Sequence, residues 1–433
     1  MIQSAPAQML LEQARALAAR GQWEQAEALF EAALARDAQL HEATLALVDR
    51  ATARGDTRRA VTLLEAAVQA APDTNVLLRL GLACRGANDL PRAIRAFEQV
   101  LQTNADNHRA WLYLGTTLVA AGDHPQATLT LYRAIRMARE RGDWLHEESI
   151  EPALRGEVIY AMNYAAHGRR AWLAQSLESL RRQHGSAALD RVDKCIAGYL
   201  GEIAVASNDS RQQPRFLHFP DLPPQPWFAR EQLPFLSALE HEFEPIRSEA
   251  VHVWQADALA PYLGSNTSAQ AAEYLGGTST QAAWDAFFFY RHGQRLDAHC
   301  TRCPRTTQAL DSLPLVRIVD HAPEICFSVL RPGSHILPHR GLTNTRVVVH
   351  FPLLIPSHCS LTVAGEQRPW HEGECLIFDD TYEHEARNDA TSDRIIVLMD
   401  AWNPHLTPLE REALAALIPE IGRFNRLWQS LAH

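Results

Sequence analysis

Long apolar runs are missing from this chain. No stretch approaches the roughly 20 consecutive apolar residues that span a bilayer. The N-terminus, MIQSAPAQMLLEQARALAARG, has no basic segment leading into an apolar core, so it does not read as a secretory signal. Long basic runs are missing too, and with a formal charge of −10 over 433 residues the chain lacks the footprint of a nucleic-acid binder. Cysteine is sparse: seven residues, scattered at 84, 195, 300, 303, 326, 359 and 375. An odd, scattered set argues against a disulfide framework and for a reducing compartment, with the cytoplasm as the default. The hydrophobic fraction of 46% allows sizeable cores, and the length suits two or three domains.

What is present first is a repeat. Gly21-Gln-Trp-Glu-Gln-Ala26, Gly55-Asp-Thr-Arg-Arg-Ala60, Asn88-Asp-Leu-Pro-Arg-Ala93 and Gly122-Asp-His-Pro-Gln-Ala127 align, with the alanines at intervals of 34, 33 and 34. Four residues beyond each alanine comes Phe30, Leu64, Phe97 or Leu131, and three further Ala33, Ala67, Val100 or Ala134. That period belongs to a helix–turn–helix unit with a small residue where two helices cross closely. The pattern resembles tetratricopeptide repeats, four of them over about residues 5–140. Arrays of this kind present a concave face, which predicts recruitment of a protein or peptide; a purely capping or dimerising array is the alternative. Trp111 and Tyr113, in the first helix of the last repeat, read as packing residues.

Residues 145–205 stay helical in pattern, as a cap or continuation of the array. The polar, proline-terminated stretch Ser207–Pro214 marks a linker, with the boundary near 208–214. The expected division is therefore 1–140, 141–207 and 208–433. Beyond it, the prolines of Phe216–Phe228 imply extended chain, a helix is expected over Leu233–Ala250 with Phe235, Leu239, Phe243 and Ile246 on one stripe, and Ala283–Tyr290 reads as an outer strand. Cys300-Thr-Arg-Cys303 reads as two ordinary thiols at a helix start, since no second cysteine pair accompanies it.

From Ile325 onward strands dominate: Ile325–Leu330, Arg346–Leu354, Ser360–Ala364, Cys375–Phe378 and Arg394–Trp402. Short strands with Gly and Pro turns predict a jelly-roll or cupin-like barrel with a ligand in its mouth. Two histidines and an arginine stand out in it. His339 follows a short apolar run, His384 lies just past another, and Arg394 opens the last strand. Oxygen-activating iron(II) sites commonly use two histidines and a carboxylate on one face. The carboxylate would be expected two residues after the first histidine, where Gly341 stands. The third position is then water or a residue from elsewhere; Asp379 and Asp380 qualify by sequence proximity alone. Arg394 suits the distal carboxylate of 2-oxoglutarate, because a guanidinium stays charged and binds bidentately.

From about Pro220 to Leu409 the chain resembles the aspartyl/asparaginyl β-hydroxylase family of iron(II)/2-oxoglutarate oxygenases. The resemblance rests on Leu222-Pro-Pro-Gln-Pro-Trp227, Pro338-His339-Arg-Gly341, Thr343-Asn344, His350, Trp370, Gly373, Leu376-Ile-Phe-Asp-Asp380, Glu383-His384-Glu385, Arg394 and Trp402-Asn-Pro404. It implies a double-stranded β-helix, with His339 and His384 as the iron ligands and no carboxylate ligand. It further implies that Ser328 and Arg394 contact the distal carboxylate of 2-oxoglutarate, His350 contacts its metal-bound end, and Arg346 serves as a substrate-side arginine. Iron(II), 2-oxoglutarate and oxygen are then the implied cofactor and co-substrates. Two positions depart from the pattern. Val348 stands where the family has an arginine, and Thr307 where the family has the second cysteine of a disulfide. The secreted, disulfide-bearing substrates of animal members do not suit a cytoplasmic protein and are not carried over.

These features predict an α-solenoid followed by a β-barrel dioxygenase that hydroxylates a protein or peptide side chain, the Asp or Asn β-carbon above all, with no nucleic acid and no membrane span. The alternatives are a hydroxylase of a lipid acyl chain or small molecule, the former weakened by the lack of an apolar anchor, and an inactive scaffold, whose one support is Val348.

Overall fold

The computed structural model describes residues 6–205, 207–256, 258–264, 273–277 and 283–431. By internal contacts the chain forms two units, Met1–Trp172 together with Arg423–His433, and Leu173–Gly422. The division thus falls at Trp172, ahead of the polar stretch at 208–214. The helix Asp190–Leu200 explains the shift: Arg191 donates to the carbonyls of Pro220 and Asp221, pairs with Glu410 and lies over Phe219, all of the second unit.

The first unit carries four helix pairs, α1 (Ala7–Ala19) with α2 (Trp23–Leu34), α3 (His41–Ala53) with α4 (Thr57–Ala70), α5 (Thr74–Gly86) with α6 (Leu90–Thr103), and α7 (His108–Ala121) with α8 (His124–Glu140). The turn inside each pair carries a residue at positive φ: Gly21, Gly55, Asn88 and Gly122, at 75°, 76°, 58° and 83°. Glycine and asparagine tolerate that conformation at least cost. In three pairs the next residue, Asp56, Asp89 or Asp123, caps the second helix by accepting from the backbone N–H three positions on. The repeat alanines Ala26, Ala60, Ala93 and Ala127 are buried at the helix crossings. Gly81 and Gly115 lie so close to Phe97 and Leu131 that a Cβ would overlap those side chains. Trp111 is buried and donates to the Ala105 carbonyl at 2.8 Å, a packing residue as its pattern predicts. The end of the C-terminal helix Pro408–Ser430 belongs to this unit: Phe424 and Trp428 meet Tyr132 edge-on, with centroids 5.2 and 5.5 Å away.

In the second unit the expected helix over Leu233–Ala250 is two helices, Leu236–His241 and Phe243–Gln255. Pro245 is the reason: its missing N–H and ring are accommodated in the first turn of a helix but not in its middle. The strands are β1 (Trp227–Phe228), β2 (Ala260–Pro261), β3 (Leu275–Gly277), β4 (Trp284–Arg291), β5 (Gln294–Arg295), β6 (Ile325–Leu330), β7 (Ser334–His339), β8 (Arg346–Leu354), β9 (Cys359–Val363), β10 (Glu366–Arg368), β11 (Leu376–Phe378), β12 (His384–Asn388) and β13 (Arg394–Trp402). They form two sheets. The larger runs β1-β11-β8-β13-β6-β4-β2 with β5 on β4, and the smaller β10-β9-β12-β7-β3. The pairings within both sheets are antiparallel, so this unit is the β-rich double-stranded architecture that the sequence predicts.

Period-two alternation sorts the larger sheet into two faces. Phe287 and Phe289, Phe327 and Val329, Val347 and Val349, and Val397 and Met399 pack with Leu239, Ile246 and Leu310 of the flanking helices. The alternate residues turn to the other face, where Trp284, Leu330, Val348 and Phe378 join Ile336, Leu361, Val363 and Ala386 of the smaller sheet. A chamber opens within that second layer. The CxxC pair lies away from it: Cys300 sits in the helix Asp297–Arg302 and Cys303 caps the helix Pro304–Asp311, both buried and unpaired. Thr307 donates its hydroxyl to the Cys300 carbonyl at 2.9 Å, holding the turn where a disulfide partner would stand.

Candidate active site

The two histidines are set by strand pairing. His339 ends β7, His384 begins β12, and their Cα positions are directly opposed, with ring centroids 4.1 Å apart. Cross-strand neighbours necessarily place side chains side by side, so one register brings together residues distant in sequence. Both rings are oriented from their own strands. His339 Nδ1 lies 2.8 Å from the Leu337 carbonyl and His384 Nδ1 lies 3.0 Å from the Tyr382 carbonyl. A carbonyl only accepts, so each Nδ1 carries the proton and each Nε2 keeps its lone pair. Burial holds both rings in the neutral form. It lowers the His339 pKa, and it lowers that of His384 to about 3, with the neighbouring His339 adding to the effect. A neutral imidazole with an anchored Nδ1–H is the state that ligates a metal.

The other predicted residues come from the larger sheet. A chamber of about 120 Å³ is lined by His339, His384, Ser328, Arg346, His350 and Arg394 together with three carboxylates, Glu324, Asp380 and Asp400, and apolar groups. Arg394 is 1% exposed; its guanidinium lies over Trp370 at 5.3 Å, and its Nε and Nη1 have no hydrogen-bond partner. Burial lowers its pKa to about 10. Ser328 accepts from Trp284 Nε1 at 2.9 Å, which leaves its own O–H free to donate. His350 Nδ1 accepts from Trp370 Nε1 at 3.3 Å, which places the proton on Nε2. Burial, reinforced by Arg394 and His384, drives its pKa far below the usual histidine range. Buried polar groups without partners are rare in native proteins. A guanidinium with two such atoms, flanked by a free hydroxyl, is suited to a carboxylate.

Arg346 is not a free cation. Its Nη1 donates to Asp400 at 2.6 Å and its Nη2 lies 3.9 Å from Asp380. Asp379 is fully engaged: Oδ1 accepts from Thr381 N–H and hydroxyl, and Oδ2 accepts from Gln212 at 2.6 Å. Asp380 is different. Its carboxyl group lies where a Cβ on Gly341 would stand, its Oδ1 has no partner, and burial raises its pKa to about 7 despite Arg346. Among the described residues no group of three or more His, Cys, Asp or Glu side chains is arranged to hold a metal; the histidines stand as a pair.

Two chamber residues, Asp400 and Trp284, and one neighbour of His339, Tyr274, are not among the residues that the sequence singles out. Asp400 breaks the apolar run of β13 and was legible as an anomaly there. Trp284 is one of several aromatics in β4, and nothing local distinguishes it. Tyr274, edge-on to His339 at 5.4 Å with its hydroxyl receiving Arg215 Nη1 at 2.6 Å, comes from segments far from either histidine.

Residues 240–404 match the aspartyl/asparaginyl β-hydroxylase family, and 11–73, 45–93 and 78–142 match tetratricopeptide repeats. The aspartate β-hydroxylase domain-containing protein 2 of Mus musculus is 32% identical over 249 residues, which is 56% of this chain and 69% of that protein. The chain belongs to the aspartyl/asparaginyl β-hydroxylase family. The Xenopus tropicalis protein of the same name is 31% identical over 57% of this chain, and the chain spans 65% of its length. The human aspartyl/asparaginyl β-hydroxylase is 32% identical over 45% of this chain and 24% of its own length. The matched region contains His339, His384 and Arg394, so the family assignment and the chamber fall on the same residues. No described helix of this β-hydroxylase family member is long and apolar enough to cross a membrane.

Proposed function

We propose that this chain is an iron(II)- and 2-oxoglutarate-dependent hydroxylase of a protein or peptide side chain, at an Asp or Asn β-carbon. The observation that carries the reading is the buried Arg394, two of whose guanidinium nitrogens lack a hydrogen-bond partner, in one chamber with two neutral imidazoles protonated on Nδ1. The residues fit the groups. His339 and His384 would hold iron(II), and the absence of a carboxylate at 341 leaves its remaining positions to co-substrate and solvent. Arg394 and Ser328 would bind the distal carboxylate of 2-oxoglutarate, and His350 Nε2–H would donate to its other end. With oxygen, that combination supplies an oxidant able to convert C–H to C–OH, leaving succinate and carbon dioxide. The protein's own part is placement and exclusion of water. Trp284, Val348, Leu361, Phe378 and Ala386 make the walls around the polar groups apolar.

The repeat array is proposed to recruit the polypeptide. A groove of about 620 Å³ in the first unit is lined by Glu98, Leu101, Gln102, Trp111, Leu114 and Gln126, a mixture of apolar, amide and carboxylate groups suited to a peptide. Seven free cysteines suit a reducing compartment, and we place the activity in the cytoplasm.

The test is anaerobic addition of ferrous iron and then 2-oxoglutarate to the purified chain, followed by visible absorbance. The expected result is a charge-transfer band that His339→Ala and Arg394→Ala each abolish while circular dichroism stays that of the folded protein. A folded wild-type protein with no band would overturn the reading.

A further inference from the structure

The chamber has two polar ends, and they differ in charge. Arg394 and Asp400 lie on the same face of β13, six residues apart, which is roughly 20 Å of extended strand. At the first end Arg394 stands with Ser328 and no carboxylate. At the other end the chamber is lined by Arg346, Asp380, Asp400 and Glu324, one guanidinium against three carboxylates. Asp400 already takes Arg346 Nη1 at 2.6 Å and the Glu324 N–H at 3.0 Å. Glu324 is held by the His292 ring at 2.9 Å and by its N–H at 3.0 Å. Val348 lies on β8 between Arg346 and His350 and is packed among apolar groups. It supplies no second cation at the position where the sequence departs from its family's arginine.

Two buried atoms at this end have no partner: Arg346 Nε, a donor, and Asp380 Oδ1, an acceptor. The two side chains are neighbours through other atoms, with Arg346 Nη2 3.9 Å from Asp380 Oδ2. A carboxylate could satisfy the donor, but it carries no hydrogen to offer the Asp380 oxygen. A primary amide carries an acceptor for the one and a donor for the other, and adds no charge.

We propose that the Arg346–Asp380 end of the chamber selects a carboxamide over a carboxylate, so that the chain hydroxylates asparagine and rejects aspartate. The selection rests on the hydroxylase reading above and narrows it. Arg346 acts as one half of an amide-reading pair, its net charge cancelled by Asp400. Val348 acts as a specificity-determining residue by keeping this end short of positive charge.

The experiment uses the full chain with iron(II), 2-oxoglutarate and oxygen at pH 8. The probes are two degenerate peptide libraries, identical except for a central Asn or Asp, and mass spectrometry reads the addition of one oxygen at that residue. Hydroxylation of the Asn library is expected to exceed that of the Asp library by on the order of 100-fold, the upper cost of leaving one buried polar group unpaired. Val348→Arg, which adds a cation, and Asp400→Asn, which releases Arg346, are each expected to narrow the ratio by about tenfold or more. Equal or greater modification of the Asp library would overturn the proposal. So would a failure to modify either library while the anaerobic charge-transfer band still forms, and in both cases the cofactor reading would stand. Loss of the band itself would identify failure of the underlying hydroxylase reading instead.

Discussion

The carboxyl group of Asp380 occupies the space into which a side chain on Gly341 would grow, and the Gly341 N–H donates to the Asp380 carbonyl at 2.6 Å. The two residues come from different parts of the sequence, yet each excludes a larger neighbour. Gly341 is therefore more than a missing ligand: the nearest carboxylate in the fold has taken its place without joining the histidines in a three-residue cluster.

Gly341→Asp is accordingly expected not to install a third ligand. Its Cβ collides with a short side chain that has little room to swing, and overpacking of this kind costs about 1–3 kcal/mol. Thermal unfolding of the metal-free protein should show a lowered Tm, and calorimetric iron titration a weaker affinity than wild type. A variant that kept its Tm and bound iron more tightly would show that the pocket can accept both carboxylates.

Asp380 also gives a pH signature. Burial raises its pKa from the ordinary carboxylate value to about 7, so the folded state disfavours its ionised form. The sign follows: this group costs nothing below about pH 4, where folded and unfolded states are both protonated, and it costs progressively more as pH rises towards 7. At about 1.4 kcal/mol per pKa unit the full effect is at most a few kcal/mol. Relative to Asp380→Asn, the wild type should lose stability between about pH 4 and 7, measured by urea unfolding at a series of pH values. A constant difference across that range would mean that the carboxyl group ionises normally.

Arg394 should show opposite effects on stability and binding. A buried guanidinium with two unpartnered atoms is expensive to hold, so Arg394→Met should leave the ligand-free protein as stable as wild type or more stable by about 1–4 kcal/mol. The same variant should lose the rise in Tm that iron(II) and 2-oxoglutarate give the wild type by mass action. Thermal melts with and without these ligands read both effects. A destabilised ligand-free variant would indicate a compensating partner within the fold.

In the first unit, Arg133 closes the end of the C-terminal helix. It donates to the carbonyls of Trp428 and Gln429 at 3.1 and 3.2 Å, and its guanidinium lies over Trp111 at 5.0 Å. Terminal carbonyls lack partners inside their own helix, so Arg133→Ala should cost about 1–3 kcal/mol. Hydrogen exchange should accelerate in residues 423–431. Unchanged exchange there would remove Arg133 from the docking of that segment.

Wherever the information is local, this chain can be read from its residues. The intervals between Ala26, Ala60, Ala93 and Ala127 define the helix pairs because each unit must bury the same small residue at its crossing. The turn residues at 21, 55, 88 and 122 follow from the backbone conformation that each turn requires. β6, β8 and β13 have the bounds that their apolar runs predict, since each has one whole face in the helix-side core. β7 and β12, SHILPH and HEARN, are short and partly polar, so hydrophobic pattern does not announce them, although they carry both histidines. Periodicity alone runs the helix over Leu233–Ala250 through Pro245, and composition alone marks 208–214 as a linker, whereas the grouping of residues from Leu173 onward with the second unit depends on contacts such as those of Arg191.

The repeat array, the strand-rich second half, and the residue types and positions that make His339, His384 and Arg394 candidates follow from the order of residues alone, because periodicity and motif spacing are properties of neighbouring residues. What surrounds each of them is settled by the folded chain. Strand register placed His384 opposite His339. The fold set Asp380 against Gly341 and turned Arg346 from a free cation into the partner of Asp400, because burial and charge pairing depend on segments that meet only when the two sheets close on one chamber.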